Sequence, residues 1–314
     1  SGITLKQHSD DVINEGLAIC QLLKSTCEKY KLIVDKDLSR RLYYAARFHD
    51  RGKTNSIWQK ACREDFEKNC GEGICLRKSG VRHEMYSLEC ISKECKNIPL
   101  PIMVAIAAHH GKLGFSYENK WKRSRVAKSF WRQFQEESSE TTENGDLQVI
   151  CTKLFEYDAV RGLLRLADHR ASAGEENPGT VPPLIAFDYK FPFKQKRGIQ
   201  RLVEQNWDND ILLVRAPTGA GKTDASLLWA SHQINAHKAD RLVFAMPTRF
   251  TANALSINVS ETLSDTGIYH SSAWYSKYSE VKRGGKQLSE ALAQHKMARV
   301  LATPITVCTV DHLL

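Results

Sequence analysis

A glycine-containing loop of eight residues constrains the fold of this chain more than any other feature. The loop, Ala216–Thr223, has the sequence Ala-Pro-Thr-Gly-Ala-Gly-Lys-Thr; an apolar run, 211–215, precedes it and a helical pattern, 225–234, follows it. A strand, such a loop and a helix in this order form a phosphate-binding loop, whose backbone amides and helix terminus surround phosphate oxygens. The second part of the chain is therefore predicted to be an α/β nucleotide-binding lobe.

The loop residues have predicted roles in binding ATP. Lys222 is expected to reach the β- and γ-phosphates, and the Thr223 hydroxyl is expected to bind Mg²⁺. The loop positions predicted to bind the nucleotide are Thr218, Gly219, Ala220, Gly221, Lys222 and Thr223. Further strands are predicted over 241–245, 299–302 and 305–310. Strands that alternate with helices imply a parallel sheet.

The first 170 residues have a different pattern, which favours helices throughout. The segments 41–48, 101–110 and 159–169 have apolar residues at helical spacing or many helix-forming residues. Glycine and proline then accumulate between Ser172 and Pro192, which is typical of a linker. We therefore predict a multi-domain chain: an all-α domain over 1–175, a linker over 176–195 and a partial α/β lobe over 196–314.

Composition limits the class of protein. The formal net charge of +9 and the pI near 9.0 weakly favour a polyanionic partner. The longest apolar run, 98–108, contains two prolines and is too short to cross a bilayer, and the first residues do not resemble a signal peptide. Nine cysteines without a secretory signal indicate reduced thiols. We expect a cytoplasmic protein that has no membrane association.

Histidines and acidic residues of the helical half form a candidate metal-binding set. Any single histidine here is more commonly a core residue that is hydrogen-bonded to the backbone. As a set, imidazoles and carboxylates suit divalent transition metals, and a shared carboxylate can bridge two ions about 3.5–4 Å apart. Adjacent histidines on a helix point about 100° apart, so we expect the helix before His109-His110 to end at Gly111. The set comprises His8, His49, Asp50, His83, His109, His110 and Asp168.

The pattern His…His-Asp…Asp resembles the HD phosphohydrolase superfamily, which has an all-helical fold. The segments Phe48-His-Asp-Arg-Gly-Lys53, Trp58-Gln59 and Leu166-Ala-Asp-His-Arg-Ala-Ser172 are similar to the HD nuclease of the CRISPR-associated nuclease-helicase of type I interference. This resemblance implies two divalent transition-metal ions, for which Mn, Fe, Co and Ni are the candidates. It implies a first site at His8, His49, Asp50 and Asp168, and a second site at Asp50, His83, His109 and His110.

The same resemblance implies roles in catalysis for Asp50 and Lys53. Asp50 would bridge the two metal sites. Lys53 follows the ligands by one turn and would neutralise charge that develops on the scissile phosphate. Asp158 lacks the Ala-Asp context of Asp168 and is expected to be a surface residue, and His169 is expected to face away from the site.

The nucleotide-binding part resembles superfamily 2 helicases. Gln200 matches the glutamine that contacts adenine in that family, and Met246-Pro-Thr-Arg249 matches its motif Ia. The resemblance implies ATP and Mg as cofactors, nucleic-acid contacts by Thr248 and Arg249, and ATP-dependent 3'-5' translocation in the full-length protein. The acidic motif II does not occur before Leu314, so this chain alone is not expected to sustain ATP hydrolysis.

A basic and aromatic segment, 112–134, is a candidate track for DNA. Cations that contact phosphates, interspersed with flat rings that stack on bases, are typical of single-strand binding. Phe130, Trp131 and Phe134 at helical spacing instead predict a buried stripe, which we favour for the aromatic residues. The basic residues for which we favour DNA binding are Lys112, Lys120, Lys122, Arg123, Arg125 and Lys128.

Together the resemblances imply a metal-dependent nuclease that cleaves single-stranded DNA in antiviral CRISPR interference. The implied partners are single-stranded DNA and a Cascade-type surveillance complex, and a phage-encoded inhibitor is a further candidate partner. Two alternatives stay open. One is an HD-type nucleotidase or cyclic-nucleotide phosphodiesterase, and the other is a nucleic-acid-binding regulator with a structural metal site. Cleavage of a DNA oligonucleotide would separate the first hypothesis from both alternatives.

Overall fold

The chain forms two compact units. In a computed structural model, the described residues are 3–67, 73–111, 113, 124–176, 179, 181–262, 266–275 and 288–313. Unit 1 consists of Ser1–Cys20 and Lys29–Glu176, and unit 2 consists of Gln21–Glu28 and Asn177–Leu314. Among the described helices, none combines the length and the apolar character needed to cross a membrane.

Unit 1 is helical, which confirms the predicted fold class of this part. Besides a short 3-10 helix over Arg51–Thr54, its described helices are α1 (Leu5–Leu22), α2 (Lys24–Val34, which begins in unit 2), α3 (Leu38–Phe48), α4 (Ser56–Glu67), α5 (Ile74–Ser79), α6 (His83–Glu94), α7 (Leu100–Ala108), α8 (Arg125–Asn144) and α9 (Leu147–Glu176).

Helix α7 lies at the centre of unit 1. All nine of its residues are buried, because the sequence Leu-Pro-Ile-Met-Val-Ala-Ile-Ala-Ala is apolar on every face. It packs against α3, α6, α8 and α9. Helix α3 begins at an N-cap, Asp37, whose carboxylate accepts a hydrogen bond from the Arg40 amide at 2.7 Å. These contacts fix the carboxyl ends of α3 and α7, where the candidate metal ligands lie.

Unit 2 contains a parallel sheet, which confirms the predicted α/β class. Its strands are β1 (Leu242–Met246), β2 (Thr266–Tyr269) and β3 (Ile305–Thr309), in the order β1-β3-β2. Ile305 pairs with Leu242 on one side and with Thr266 on the other, so the carboxyl ends of the strands meet at one edge. The helices of this unit are α10 (Gly198–Gln205), α11 (Lys222–Asn235), α12 (Arg249–Thr262) and α13 (Leu288–Arg299), and a 3-10 turn spans Val310–His312.

Two of the predicted strands are wrong. Residues 211–215 have irregular structure, and Ile211 and Leu213 are 88% and 100% exposed. An apolar run forms a strand only with a pairing partner, and within the described residues this segment has none. At 299–302, α13 continues to Arg299, and Leu301 then adopts a positive φ of 53°, which a strand does not permit.

The segment assigned to a linker is irregular but partly packed. Helix α9 ends at Glu176, and residues 181–197 form neither helix nor strand. However, Phe187 and Tyr189 are buried in the core of unit 2, where they pack with Leu227, Leu228 and other residues. The prolines and glycines of this segment predicted its irregular backbone, whereas burial of its aromatic side chains depends on distant residues.

Candidate metal centre and phosphate loop

Asp50 lies at the centre of the histidine cluster. His49 is the C-cap of α3, and Asp50 precedes the 3-10 helix 51–54, so the two residues follow directly on a buried helix. The side chains of His49 and Asp50 are 0% and 1% exposed. A carboxylate that is buried to this extent requires cationic or hydrogen-bonding neighbours.

Two imidazoles and a second carboxylate cluster around one oxygen of Asp50. Asp50 Oδ2 lies 3.3 Å from His8 Nε2 and 3.6 Å from His49 Nε2. Asp168 Oδ1 lies 3.4 Å and 3.8 Å from the same two nitrogens. The atoms of His8, His49 and Asp168 are close enough to one another to bind a single ion. The structure thus brings together the residues of the first expected site.

The other oxygen of Asp50 faces the second expected set. Asp50 Oδ1 lies 3.2 Å from His83 Nε2 and 3.6 Å from His109 Nε2. One atom from each of Asp50, His83, His109 and His110 falls within a single ion-sized cluster, and His110 is the exposed member. Both oxygens of one carboxylate are therefore directed at different groups of imidazoles, which is the arrangement that a bridging ligand requires.

The buried histidines present Nε2 to the centre because their Nδ1 atoms are hydrogen-bonded elsewhere. His49 Nδ1 lies 2.7 Å from the Ala46 carbonyl oxygen, and His109 Nδ1 lies 2.6 Å from the Ile106 carbonyl oxygen. Donation from Nδ1 leaves the Nε2 lone pair free to coordinate a cation. His49 Nε2 is also buried without a hydrogen-bond partner among the described residues, which fits a metal ligand.

Electrostatics favour uncharged imidazoles at two positions. Burial lowers the pKa of His49 to about 4. Burial and the neighbouring His109 and His83 lower the pKa of His110 to about 4. Near neutral pH these two side chains are therefore neutral and can donate a lone pair.

The carboxylates of the cluster remain ionised. Burial would raise the pKa of Asp50, but the adjacent imidazoles of His109, His8 and His83 outweigh burial and hold it far below its usual value. Burial likewise opposes ionisation of Asp168, yet the hydrogen bond with His8 lowers the pKa of Asp168 to about 2. Ionised carboxylates beside neutral imidazoles are the donors that divalent transition metals prefer.

The pKa of His8 is raised, whereas those of His49 and His110 are lowered. Burial lowers its pKa, but the carboxylates of Asp168, Asp50 and Glu175 outweigh burial and raise the pKa of His8 to about 10. Protons and cations compete for the same nitrogen, so the surplus of negative charge that holds a proton here also favours a cation.

Three supporting residues were not predicted from the sequence. Glu175 Oε1 accepts a hydrogen bond from His8 Nδ1 at 2.7 Å. Ser87 Oγ accepts a hydrogen bond from the Gly52 amide at 2.8 Å and donates one to the His49 carbonyl oxygen at 2.7 Å. Arg161 donates to the carbonyl oxygens of Ala108 at 3.2 Å and of Gly111 at 3.0 Å. Helical spacing was the feature of the sequence that could have identified them. Ser87 follows the predicted ligand His83 by four residues. Arg161 precedes Asp168 by seven residues, and Glu175 follows it by seven.

Gly52 permits close contact between the backbone around the cluster and α6. A Cβ atom at this position would lie 1.9 Å from the His83 carbonyl oxygen and 2.7 Å from the Ser87 amide nitrogen. Both atoms belong to the backbone and cannot move aside readily. Only glycine therefore allows the loop after Asp50 to approach the helix that begins with His83.

Lys53 contacts Asp50 directly. Its ammonium group forms an ion pair with Asp50 Oδ2, and it lies 6.0 Å from the centre of the Trp58 ring. Gln59 Nε2 donates to the Lys53 carbonyl oxygen at 2.8 Å. The Lys53 side chain is 26% exposed, so it can contact both the cluster and a ligand from solvent.

The helix before the doublet His109-His110 ends earlier than expected. Helix α7 ends at Ala108 rather than at Gly111, and Gly111 is not among the residues with positive φ. The Arg161 guanidinium instead binds the terminal carbonyl oxygens. The two imidazole rings have centroids 4.0 Å apart, so they converge on the cluster.

Asp158 and His169 are both exposed, as expected for residues outside the site.

The phosphate loop of unit 2 has the backbone that such a loop requires. Gly219 and Gly221 have φ angles of 79° and 87°, which only glycine adopts readily. Thr218 and Lys222 are exposed, Ala220, Gly221 and Thr223 are half-buried, and α11 begins at Lys222. Lys222 Nζ donates to the carbonyl oxygens of Ala216 at 2.9 Å and Pro217 at 3.0 Å.

Gln200 contacts this loop from α10. It is 1% exposed, its Oε1 accepts from the Arg197 amide at 2.8 Å, and its Nε2 lies 3.4 Å from the Gly221 carbonyl oxygen. Arg197 also donates to the Gly219 carbonyl oxygen. The predicted adenine-contacting residue and the phosphate loop therefore lie together.

The predicted nucleic-acid residues are only partly described. Lys112, Lys120, Lys122 and Arg123 lie outside the described residues. Arg125 and Lys128 are exposed on α8, whereas Phe130 and Trp131 are buried, which confirms that these two rings form part of a core stripe. Thr248 and Arg249 are exposed at the carboxyl end of β1, where Thr248 Oγ1 accepts from the Thr251 amide at the start of α12.

Comparisons with known families match two parts of the chain to two different families. Residues 2–154 match the family described as Cas3, HD domain, and residues 194–313 match the family DEAD/DEAH box helicase. The crystal structure of T. fusca Cas3 with ADP has a TM-score of 0.53 and 17% identity, and the match covers 98% of this chain and 42% of that chain. This structural similarity concerns the fold alone.

Two proteins with similar sequences are also described as Cas3. Cas3 proteins of Methanocaldococcus jannaschii and Methanothermobacter thermautotrophicus are 27% identical over 145 residues and 28% identical over 164 residues. The matches cover 44% and 49% of this chain but only 20% and 19% of the relatives. The aligned region thus spans about a fifth of each relative's length.

Proposed function

We propose that unit 1 is a metal-dependent nuclease for single-stranded DNA, because the chain belongs to the Cas3-type fusions of an HD domain with a helicase domain. The observation that carries this proposal is the division of Asp50 between two ligand sets. His8 and His49 face one of its oxygens, and His83 and His109 face the other.

The ligand sets fit two divalent transition-metal ions. The first ion would be held by His8, His49 and Asp168 together with Asp50, and the second by Asp50, His83, His109 and His110. Mn, Fe, Co and Ni accept this mixture of imidazole and carboxylate. Bound ions of this kind supply charge stabilisation on a phosphodiester and activate water near neutral pH.

The residues of the chain supply orientation and positive charge. Ionised Asp50 and Asp168 and the neutral side chains of His49 and His110 hold metal-binding atoms in place before substrate arrives. Lys53, which is partly exposed beside Asp50, is the cation that we propose to contact the scissile phosphate. Exposed Arg125 and Lys128 on α8 would contact the DNA backbone, without preference for sequence.

Unit 2 is proposed to bind ATP with Mg²⁺ and to contact the same nucleic acid. Gly219 and Gly221 allow the amides of the loop to surround phosphates, Lys222 would exchange its contacts with loop carbonyls for phosphate oxygens, and Thr223 would bind Mg²⁺. Arg249, exposed at the carboxyl end of β1, would contact the strand. In the full-length protein this lobe would belong to a motor that uses ATP to translocate in the 3'-5' direction.

We propose the partners that the family resemblance implies. A Cascade-type surveillance complex would expose the single strand that enters unit 1, within antiviral defence in the cytoplasm. A phage-encoded inhibitor of this step is a further proposed partner. We expect the isolated chain to cleave DNA without either protein, so the nuclease activity can be tested in their absence.

Cleavage of circular single-stranded DNA tests the nuclease directly. The purified chain is incubated with EDTA or with Mn²⁺, Co²⁺, Ni²⁺ or Mg²⁺, without ATP. We expect metal-dependent loss of the circle, and no loss with Asp50→Ala. His169→Ala is the matched control, because His169 is adjacent to Asp168 but exposed. An intact circle with every metal, from a folded protein, would contradict the proposal, as would full activity of Asp50→Ala.

A further inference from the structure

We propose that Glu175 is a positioning residue that orients His8 for metal coordination. This inference rests on the proposed metal centre and extends it to a residue outside the expected ligand set. Glu175 Oε1 lies 2.7 Å from His8 Nδ1, and the two side chains are only 10% and 11% exposed. A short, buried contact between a carboxylate and an imidazole restricts the rotation of both side chains.

The orientation of His8 depends on another helix, unlike that of the other two buried imidazoles of the cluster, His49 and His109. His49 and His109 donate to carbonyl oxygens three residues earlier in their own helices. His8 lies near the start of α1, and its Nδ1 partner is a side chain on α9. Removal of Glu175 would therefore take away the Nδ1 partner of His8, whereas no single side-chain change would remove the carbonyl acceptors of His49 and His109.

Helix α9 contacts both nitrogens of the His8 ring. Asp168 Oδ1 lies 3.4 Å from Nε2, and Glu175 Oε1 lies 2.7 Å from Nδ1. Residues seven apart lie two turns along the same face of a helix, which allows both carboxylates to face α1. A ring flip would remove Nδ1–H from Glu175, so this contact selects Nε2 as the nitrogen that faces Asp50 and Asp168.

An acceptor on the outer nitrogen also strengthens the inner one as a ligand. Carboxylates that accept from metal-bound imidazoles fix the tautomer and raise ligand basicity, and their loss typically weakens metal binding by about 10- to 100-fold. Glu175 should therefore affect the first ligand set, which contains His8, and not the second set.

Calorimetric titration with Ni²⁺ alone tests this assignment. In the whole chain carrying His83→Ala and His110→Ala, only the first ligand set remains complete. We expect Glu175→Ala to weaken Ni²⁺ binding there by about 10- to 100-fold. Glu175→Gln keeps an acceptor and should recover much of the affinity. Glu176→Ala, at the exposed next position of the same helix end, should leave the affinity unchanged.

A second variant background shows which ligand set Glu175 affects. With His8→Ala, only the second set remains complete, and Glu175→Ala should leave its Ni²⁺ affinity unaltered. Equal losses in both backgrounds would overturn the inference, because a general structural defect affects both sets. Unchanged affinity of Glu175→Ala in the first background would overturn it as well.

The outcomes separate this inference from the proposed function. If the unaltered chain binds no Ni²⁺, the metal centre itself fails, whatever the role of Glu175. If the unaltered chain binds Ni²⁺ and Glu175→Ala binds it equally well, only the role of Glu175 fails. Should Glu175→Ala not fold, Glu175→Asp replaces it: the charge is kept but the shorter side chain cannot reach His8, so weakened binding is again expected.

Discussion

The candidate metal centre of unit 1 and the phosphate loop of unit 2 are assembled in opposite ways. The metal centre collects side chains from α1, α6, α9 and the ends of α3 and α7, and most of them are buried. The phosphate loop is one continuous segment, and its lysine bonds to carbonyl oxygens only five and six residues away. The first site depends on how helices pack, whereas the second depends on the conformation of a few glycines.

This difference predicts how each site responds to change. A site made by packing fails when backbone segments separate, and its loss is coupled to the stability of the whole unit. A local loop tolerates substitution at modest cost, because its neighbours are side chains or solvent. Four measurements test this contrast.

Gly52→Ala should give the largest effect. The new Cβ atom would overlap the backbone of His83 and Ser87, so the 3-10 helix 51–54 must move away from α6. We expect a loss of about 3 kcal/mol or more in the free energy of unfolding, together with weakened metal binding. Urea unfolding followed by circular dichroism measures the loss. A variant as stable as the unaltered chain would show that this contact is not needed.

Added metal should stabilise unit 1 selectively. A ligand that binds only the folded state at about 100 times its dissociation constant adds about 2.7 kcal/mol of stability. Ni²⁺ should therefore raise the midpoint of thermal unfolding, and Asp50→Ala should abolish the rise. Lys222→Ala, in the phosphate loop, is the control and should keep it. Equal stabilisation of Asp50→Ala by Ni²⁺ would place the metal elsewhere.

Gly221→Ala should have a smaller effect than Gly52→Ala. Its φ of 87° is unfavourable for alanine by about 1–2 kcal/mol. Its nearest clash is with the Gln200 Nε2 atom, the end of a flexible side chain that can move. We expect a loss of about 1–2 kcal/mol in unit 2, measured by urea unfolding as for Gly52. A larger loss than that of Gly52→Ala would reverse the comparison.

Gly162→Ala should give the smallest change, and the change should be stabilising. Gly162 is an exposed interior residue of α9, and a Cβ atom there meets no atom within 4 Å. Replacing glycine by alanine in a helix typically stabilises by about 0.5–1 kcal/mol. Unfolding of unit 1 should shift upward by this amount while Ni²⁺ affinity stays constant. Destabilisation would reveal a contact of this helix face with other parts of the chain.

The sequence predicted local features better than those that depend on distant partners. Residues of the phosphate loop and the helices 41–48 and 159–169 were predicted because their signals lie within one segment. The apolar run 211–215 was predicted as a strand, but strand formation needs a neighbour, and Leu213 is fully exposed. The turn after α13 was missed because the same apolar residues can continue a helix or form a strand.

The same reasoning applies to the candidate centre. His109-His110 and His49-Asp50 attract attention as pairs of adjacent chemical groups. Glu175 is one of several glutamates near a helix end, and its contact with His8 depends on the packing of α9 against α1. Glu175 lies seven residues after Asp168 in the sequence. This spacing identifies Glu175 only when the face of α9 that contacts the cluster is known.

The single carboxylate of Asp50 would couple the two proposed metal sites thermodynamically. Its one negative charge is available to both, so a cation in one set reduces the attraction that the other set exerts on a second cation. Such coupling is reciprocal: each ion changes the affinity of the other by the same factor. Two independent dissociation constants would therefore not describe metal uptake by this chain. A complete description would need a third quantity, the interaction free energy between the ions, which contains their direct repulsion as well as the effect of the shared Asp50 charge.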